Sequence, residues 1–185
     1  MIARKIGLAG AAVVVGALAA GGGWTGWQHL ASAAPNAPQP ATQLQGPYSV
    51  TAVVDGDTIR INRDGRDETV RLLGIDTPET KDKRKTVECF GREASAQTTR
   101  MLSGSRVSIE PGPEARDKYG RTLGYVWTED HRLINLELVR DGYAREYTYD
   151  RSLPGAHVDA LRTAERDARS AGRGLWSPTS CGGGR

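Results

Sequence analysis

Three short segments of the 185-residue chain concentrate acids, arginines and glycines at spacings that could serve chemistry. The first is Val54-Asp55-Gly56-Asp57-Thr58, with two carboxylates two residues apart around a glycine. By itself it also reads as a hairpin turn, since Asp-Gly is a common turn pair. The second is Arg71-Leu72-Leu73-Gly74-Ile75-Asp76-Thr77-Pro78-Glu79, an apolar strand that holds a cation and then breaks into a loop with two acids. An arginine inside an apolar run needs an anion. That anion can be Asp57 or Glu79 in a purely structural pairing, or the cluster can hold a hard cation and a phosphate together. The third is Asp117-Lys118-Tyr119-Gly120-Arg121, which offers a second guanidinium beside an aromatic ring and, taken singly, is a solvated turn.

The combination has a chemical logic. A phosphodiester repels nucleophiles, so its hydrolysis needs cations to offset developing charge, a base for water, and fixed positioning. Arg71 and Arg121 can make planar, bidentate phosphate contacts that lysine cannot. Asp57 and Asp76 are hard oxygen ligands of the kind Ca²⁺ takes, and Glu79 is a spare carboxylate placed to act on a water. No covalent nucleophile is required.

The elements that must position these residues follow from patterning. Alternation predicts strands over 48–54, 58–61 and 69–73, joined at Asp55-Gly56 and Asp64-Gly65 as an antiparallel meander. Helical spacing of Phe90, Ala94, Thr98, Met101 and Leu102 predicts a helix over 88–102; further helices are expected over 133–140 and 158–171, and further strands over 106–110 and 123–128. A mainly β fold with helices results: a closed five-stranded barrel, an OB-fold, with three α-helices packed on it.

Outside that region the chain changes character. Arg4 and Lys5 precede an apolar run over 6–20, then come Gly21, Gly22 and Gly23 and the small-residue stretch Ala31-Ser32-Ala33-Ala34, with no acid in the first 45 residues. This predicts a secretory signal peptide over 1–33, hence a secreted protein that touches the membrane only in transit, with an uncleaved anchor as the alternative. Cleavage after Ala33 removes two cations and no acid, which lowers the formal charge from +3 to +1. Residues 34–47, rich in proline, read as a linker, 48–178 as the folded domain and 179–185 as a tail. Two cysteines and three histidines leave no closely spaced pairs for a structural zinc site.

The three segments, with Glu93-Ala94 and Gly174-Leu175-Trp176-Ser177, resemble the staphylococcal (micrococcal) nuclease, or thermonuclease, family, in order from about Ser49 to Ser177. The resemblance implies an OB-fold barrel with three helices and Ca²⁺-dependent hydrolysis of DNA and RNA to 3′-phosphate products. It implies metal ligation by the carboxylates of Asp57 and Asp76 and the backbone carbonyl of Thr77, with Asp55 as their partner. Glu79 would act on the attacking water as base or orienter. Arg71 and Arg121 would clamp the phosphate, Arg121 also assisting the leaving oxygen. Lys118 and Tyr119 would contact a terminal phosphate, and Tyr147 and Tyr149 would line the base and phosphate pocket. The family precedent is a monomer.

Some features depart from that pattern or stay bland. Residues 81–86 form a basic run, read either as a solvated face or as a mobile loop that gathers nucleic acid. Cys89 and Cys181 have no counterpart in the staphylococcal protein itself, and an even count in an exported chain suggests a disulfide between them. Asn62, Asp64, Gly65 and Asp67 resemble part of an EF-hand loop but lack its closing glutamate, so a hairpin turn is expected. His131 and His157 are assigned no catalytic role, and Trp127 and Trp176 are expected to pack in the interior. The competing reading of the whole chain is a catalytically silent OB-fold that binds nucleic acid. The joint presence of Arg71, Glu79 and Arg121 separates the two, because a binding module has no use for acids facing the phosphate.

Overall fold

The computed structural model describes residues 38–80, 88–149 and 155–181. The expected signal sequence over 1–33 and the basic run over 81–86 lie outside the described residues. The strands are β1 (Gln45–Asp55), β2 (Thr58–Arg63), β3 (Arg66–Leu72), β4 (Ile75–Asp76), β5 (Arg106–Arg116), β6 (Thr122–Thr128) and β7 (Arg145–Glu146). The helices are α1 (Gly91–Leu102), α2 (Ile134–Arg140) and α3 (Val158–Ser170), followed by a 3₁₀ turn at Gly174–Trp176.

Period-two burial makes the barrel staves. Along β2, Ile59 and Ile61 are fully buried while Arg60 and Asn62 face out. Asp64 and Gly65 both adopt positive φ, 53° and 81°, as a two-residue hairpin turn between twisted strands requires. That turn sets the register in which Arg71 faces Thr58 across β2 and β3. Five strands close in the order β1-β2-β3-β6-β5, giving the expected OB-type barrel. The closure is a parallel pairing of β3 with β6, with Arg71 opposite Leu123. Ile59, Ile61, Val70, Leu72, Val107, Ile109 and Val126 fill the interior.

α1 buries Gly91, Ala94, Thr98 and Leu102, one face at helical spacing. From that face Thr98 Oγ1 donates to the carbonyl of Gly56 at 2.6 Å, so the helix supports the β1–β2 turn from beneath. α3 buries Val158, Leu161, Ala164 and Ala168. A smaller apolar cluster joins Ala168, Leu175 and Trp176 to Phe90 at the entry to α1. Cys89 and Cys181 are joined in a disulfide.

Several boundaries differ from the sequence expectation for identifiable reasons. β1 begins three residues early, where Gln45 pairs with Ile109. β5 continues past Pro111-Gly112-Pro113 to Arg116 through a register shift, although those residues break apolar alternation. α1 starts at Gly91 because Phe90 takes a left-handed φ of 70°. β4 and β7, two residues each, are too short for any periodicity to announce. Trp127 and Trp176 are buried, as interior packing residues should be.

Candidate active site

The β1–β2 turn and the segment from the end of β3 through Thr80 meet at one end of the barrel. Asp57 is buried, and each carboxylate oxygen is engaged: Oδ1 accepts from Thr58 Oγ1 at 3.0 Å, and Oδ2 accepts from the Thr77 backbone N–H at 3.1 Å. Oδ2 also pairs with Arg71 Nη2 at 3.1 Å. The same nitrogen reaches Asp76 Oδ1 at 3.2 Å. Arg71 Nη1 donates to the carbonyls of Leu72 and Ile75 at 2.6 and 2.8 Å. The anion that Arg71 requires is thus a pair, Asp57 and Asp76.

β4 presents Asp76 because it pairs with β7, with Arg145 opposite. Burial and then the nearby Asp57 charge push the Asp76 carboxyl above its ordinary range, against the opposing pull of Arg71. Two carboxylates sharing one guanidinium are short of positive charge. This donor set, two carboxylates with the backbone carbonyl of Thr77 between β4 and Pro78, is hard oxygen and fits a Ca²⁺-type cation. No group of three or more His, Cys, Asp or Glu side chains forms a metal cage among the described residues. Waters and substrate would therefore complete a shell of about 6 to 8 oxygens.

Glu79 is held through its backbone. Its N–H donates to Glu88 Oε2 at 3.2 Å, and its carbonyl accepts from the Glu88 N–H at 2.9 Å. Its side chain hydrogen-bonds with Asp55; burial and that bond together raise the Asp55 carboxyl. Asp55 Oδ1 accepts from Gly56 N–H and from Thr80 Oγ1, each at 2.8 Å. Asp55 thus braces the loop bearing Glu79. Thr80 and Glu88 are supports that no sequence pattern singled out, since each acts through a tertiary contact.

Arg121 lies at the start of β6, one-third exposed, tethered to Asp117. Its Nε donates to Asp117 Oδ2 at 2.7 Å and its backbone N–H to Oδ1 at 2.9 Å. The parallel β3–β6 pairing brings Arg71 and Arg121 to one cavity of about 370 Å³, which Lys118, Tyr119, Tyr147 and Tyr149 also line. Tyr119, Tyr147 and Tyr149 are 73%, 50% and 86% exposed, unlike the buried rings of the interior, and so are available to stack. Lys118 Nζ stands 5.1 Å from the Tyr119 ring centre, and the Arg121 guanidinium 5.6 Å from it. Arg71, paired with Asp57 and Asp76 and lining the cavity with Arg121, bridges the two halves of the site.

A family model described as staphylococcal nuclease homologue matches residues 69–178, the stretch that runs from β3 to the C-terminal 3₁₀ turn. The chain belongs to the staphylococcal nuclease family. It is 39% identical over 137 residues to the thermonuclease of Staphylococcus intermedius, covering 74% of this chain and 80% of that one. It is 35% identical over 130 residues to the thermonuclease of Staphylococcus hyicus, covering 70% and 75%. Endonuclease YncB of Bacillus subtilis is 35% identical over 126 residues, covering 67% of this chain and 58% of that one. As a member of the staphylococcal nuclease family, the chain is a hydrolytic nuclease, a phosphodiesterase whose substrates are nucleic acids.

Proposed function

We propose that this nuclease is exported, depends on Ca²⁺, and cleaves both DNA and RNA to leave 3′-phosphate ends. The observation that carries the proposal is Arg71 Nη2 lying 3.1 Å from Asp57 Oδ2 and 3.2 Å from Asp76 Oδ1 while its guanidinium lines the same cavity as Arg121. Asp57 and Asp76, with the Thr77 carbonyl, would hold Ca²⁺, which when bound offsets phosphate charge and favours ionisation of water. Arg71 and Arg121 receive the scissile phosphate between them, and tight positioning converts an encounter into an oriented attack.

Glu79 takes a proton from the attacking water as its oxygen bonds to phosphorus. The bond from phosphorus to the 5′ oxygen then breaks, the departing oxygen being stabilised by Arg121, which leaves the phosphate on the 3′ oxygen. Lys118 and Tyr119 contact a terminal phosphate, and Tyr147 and Tyr149 stack on bases without reading their edges, which supports tolerance of sequence and of sugar. Export rests on the basic-apolar-small layout of residues 1–33.

Digestion of plasmid, single-stranded DNA and RNA by the purified chain, with Ca²⁺, with Mg²⁺ and with chelator, tests the reading. Cleavage that needs Ca²⁺ and leaves 3′-phosphates is the expected result. Cleavage that persists in chelator, or that leaves 5′-phosphates, refutes it.

A further inference from the structure

The disulfide between Cys89 and Cys181 spans 92 residues of chain, with the two Cα atoms 5.8 Å apart. It ties the residue just before Phe90, at the entry to α1, to the tail that follows the 3₁₀ turn. The entry to α1 is also what grips Glu79. Glu88 accepts from the Glu79 N–H and donates to the Glu79 carbonyl, at 3.2 and 2.9 Å. Gly91 packs so closely beneath that a Cβ there would stand 3.0 Å from the Pro78 carbonyl and 3.1 Å from that of Glu79. The grip is therefore made by Glu88 and Gly91, and Cys89 lies between them in the chain.

Apart from the disulfide and the Gly91 packing, contacts that hold this segment down include an aromatic one and a polar one. Phe90 turns its ring to within 5.5 Å of Tyr143 and onto the cluster of Ala168, Leu175 and Trp176, and the two hydrogen bonds join Glu88 to Glu79. Glu88 is exposed, so water competes for those bonds and their net worth is small. A covalent link one residue away limits how far Glu88 can drift.

We propose that the Cys89–Cys181 disulfide is a positioning element for Glu79, and that opening it slows the nuclease by loosening that carboxylate. The proposal rests on the base role of Glu79 proposed above. Cys89 is exposed, within reach of a small dithiol. A thiolate of the dithiol attacks one sulfur and displaces the other as a thiolate. Its second thiolate then releases the first, so that two electrons pass from the dithiol, which becomes a disulfide, and both cysteines end as thiols.

The test compares three forms of the full chain: oxidised, reduced with dithiothreitol, and Cys89→Ser/Cys181→Ser. Each is assayed for kcat and KM on single-stranded DNA with Ca²⁺, both as wild type and with Glu79→Gln. Amide exchange at Glu79 and Glu88 is followed alongside. Opening the link should lower kcat about 10-fold with KM little changed, and should leave kcat unaltered where Glu79 is already glutamine. Exchange at Glu79 and Glu88 should quicken while barrel amides stay protected. An equal loss in both backgrounds, no loss in wild type, or collapse of the near-ultraviolet signal on reduction would overturn the proposal. If Glu79→Gln alone keeps full turnover, the base assignment itself has failed and the positioning proposal falls with it, an outcome distinct from the others.

Discussion

Gly56 is pressed against Thr77: a Cβ on Gly56 would lie 2.7 Å from Thr77 Oγ1 and 2.9 Å from its Cβ and Cγ2. The glycine between the two aspartates therefore serves close approach as well as turning. Gly56→Ala must push Thr77 away, and with it the N–H that holds Asp57 Oδ2. Turnover should fall at least about 10-fold with the barrel intact. Steady-state kinetics beside near-ultraviolet circular dichroism check this, and an active, folded variant would show that the contact can be relieved at no cost to the site.

In the proposed mechanism Arg121 stabilises the departing oxygen and Glu79 takes the proton of the attacking water. Arg121→Ala and Glu79→Gln should each lower turnover by a factor of at least about 100, since each removes a group aimed at developing charge or at the proton. Unfolding midpoints in urea should stay near the wild-type value. Activity surviving both changes would remove these residues from the mechanism.

The tether on Arg121 has a pH signature of definite sign. Burial favours the neutral acid at Asp117, but the Arg121 side chain, the backbone N–H groups of Arg121 and Tyr119, and the Arg121 charge together outweigh it. They hold the carboxyl below its ordinary 3.8. A depressed folded-state value stabilises above the unfolded value, and that contribution is lost as pH falls through the folded one. Urea unfolding of wild type and Asp117→Asn should therefore differ at neutral pH and converge only on acidification below about pH 4. Convergence at higher pH would mean that the carboxylate is not held this way.

Glu110 is buried where no residue of the proposed reaction needs it. It accepts from Trp127 Nε1 at 2.8 Å and from the Ala41 N–H at 3.0 Å, and pairs with His157 Nε2 at 2.9 Å. It thereby joins β5, β6, the approach to β1 and the start of α3. Glu110→Ala leaves those partners without an acceptor and should cost about 3 to 5 kcal/mol in urea unfolding. Residual turnover of the folded fraction should remain near wild type. A loss below about 1 kcal/mol would show that water replaces the carboxylate.

Local chemistry made much of this protein legible in the sequence alone. Asp64-Gly65 had to be a turn, Ile59 and Ile61 had to share a face, and Arg71 in an apolar strand had to find an anion, each by steric or dielectric rules acting within a few residues; the turn expected at Asp55-Gly56 falls one residue later, at Gly56-Asp57, because Asp55 still pairs with Thr58. The same rules picked out Asp57, Asp76, Glu79 and Arg121 as a set suited to a phosphodiester. Which anion Arg71 takes was decided by tertiary structure, because Asp57 lies in the β1–β2 turn and Asp76 is presented by the β4–β7 pairing. The parallel joining of β3 to β6 was likewise invisible, being a contact between residues about fifty apart, yet it helps to bring Arg71 and Arg121 to one cavity. Phe90 in a left-handed conformation, the Glu88 grip on Glu79 and the Glu110–His157 pair belong to the same class. Periodicity records what each segment buries, whereas closing the barrel decides which segments meet.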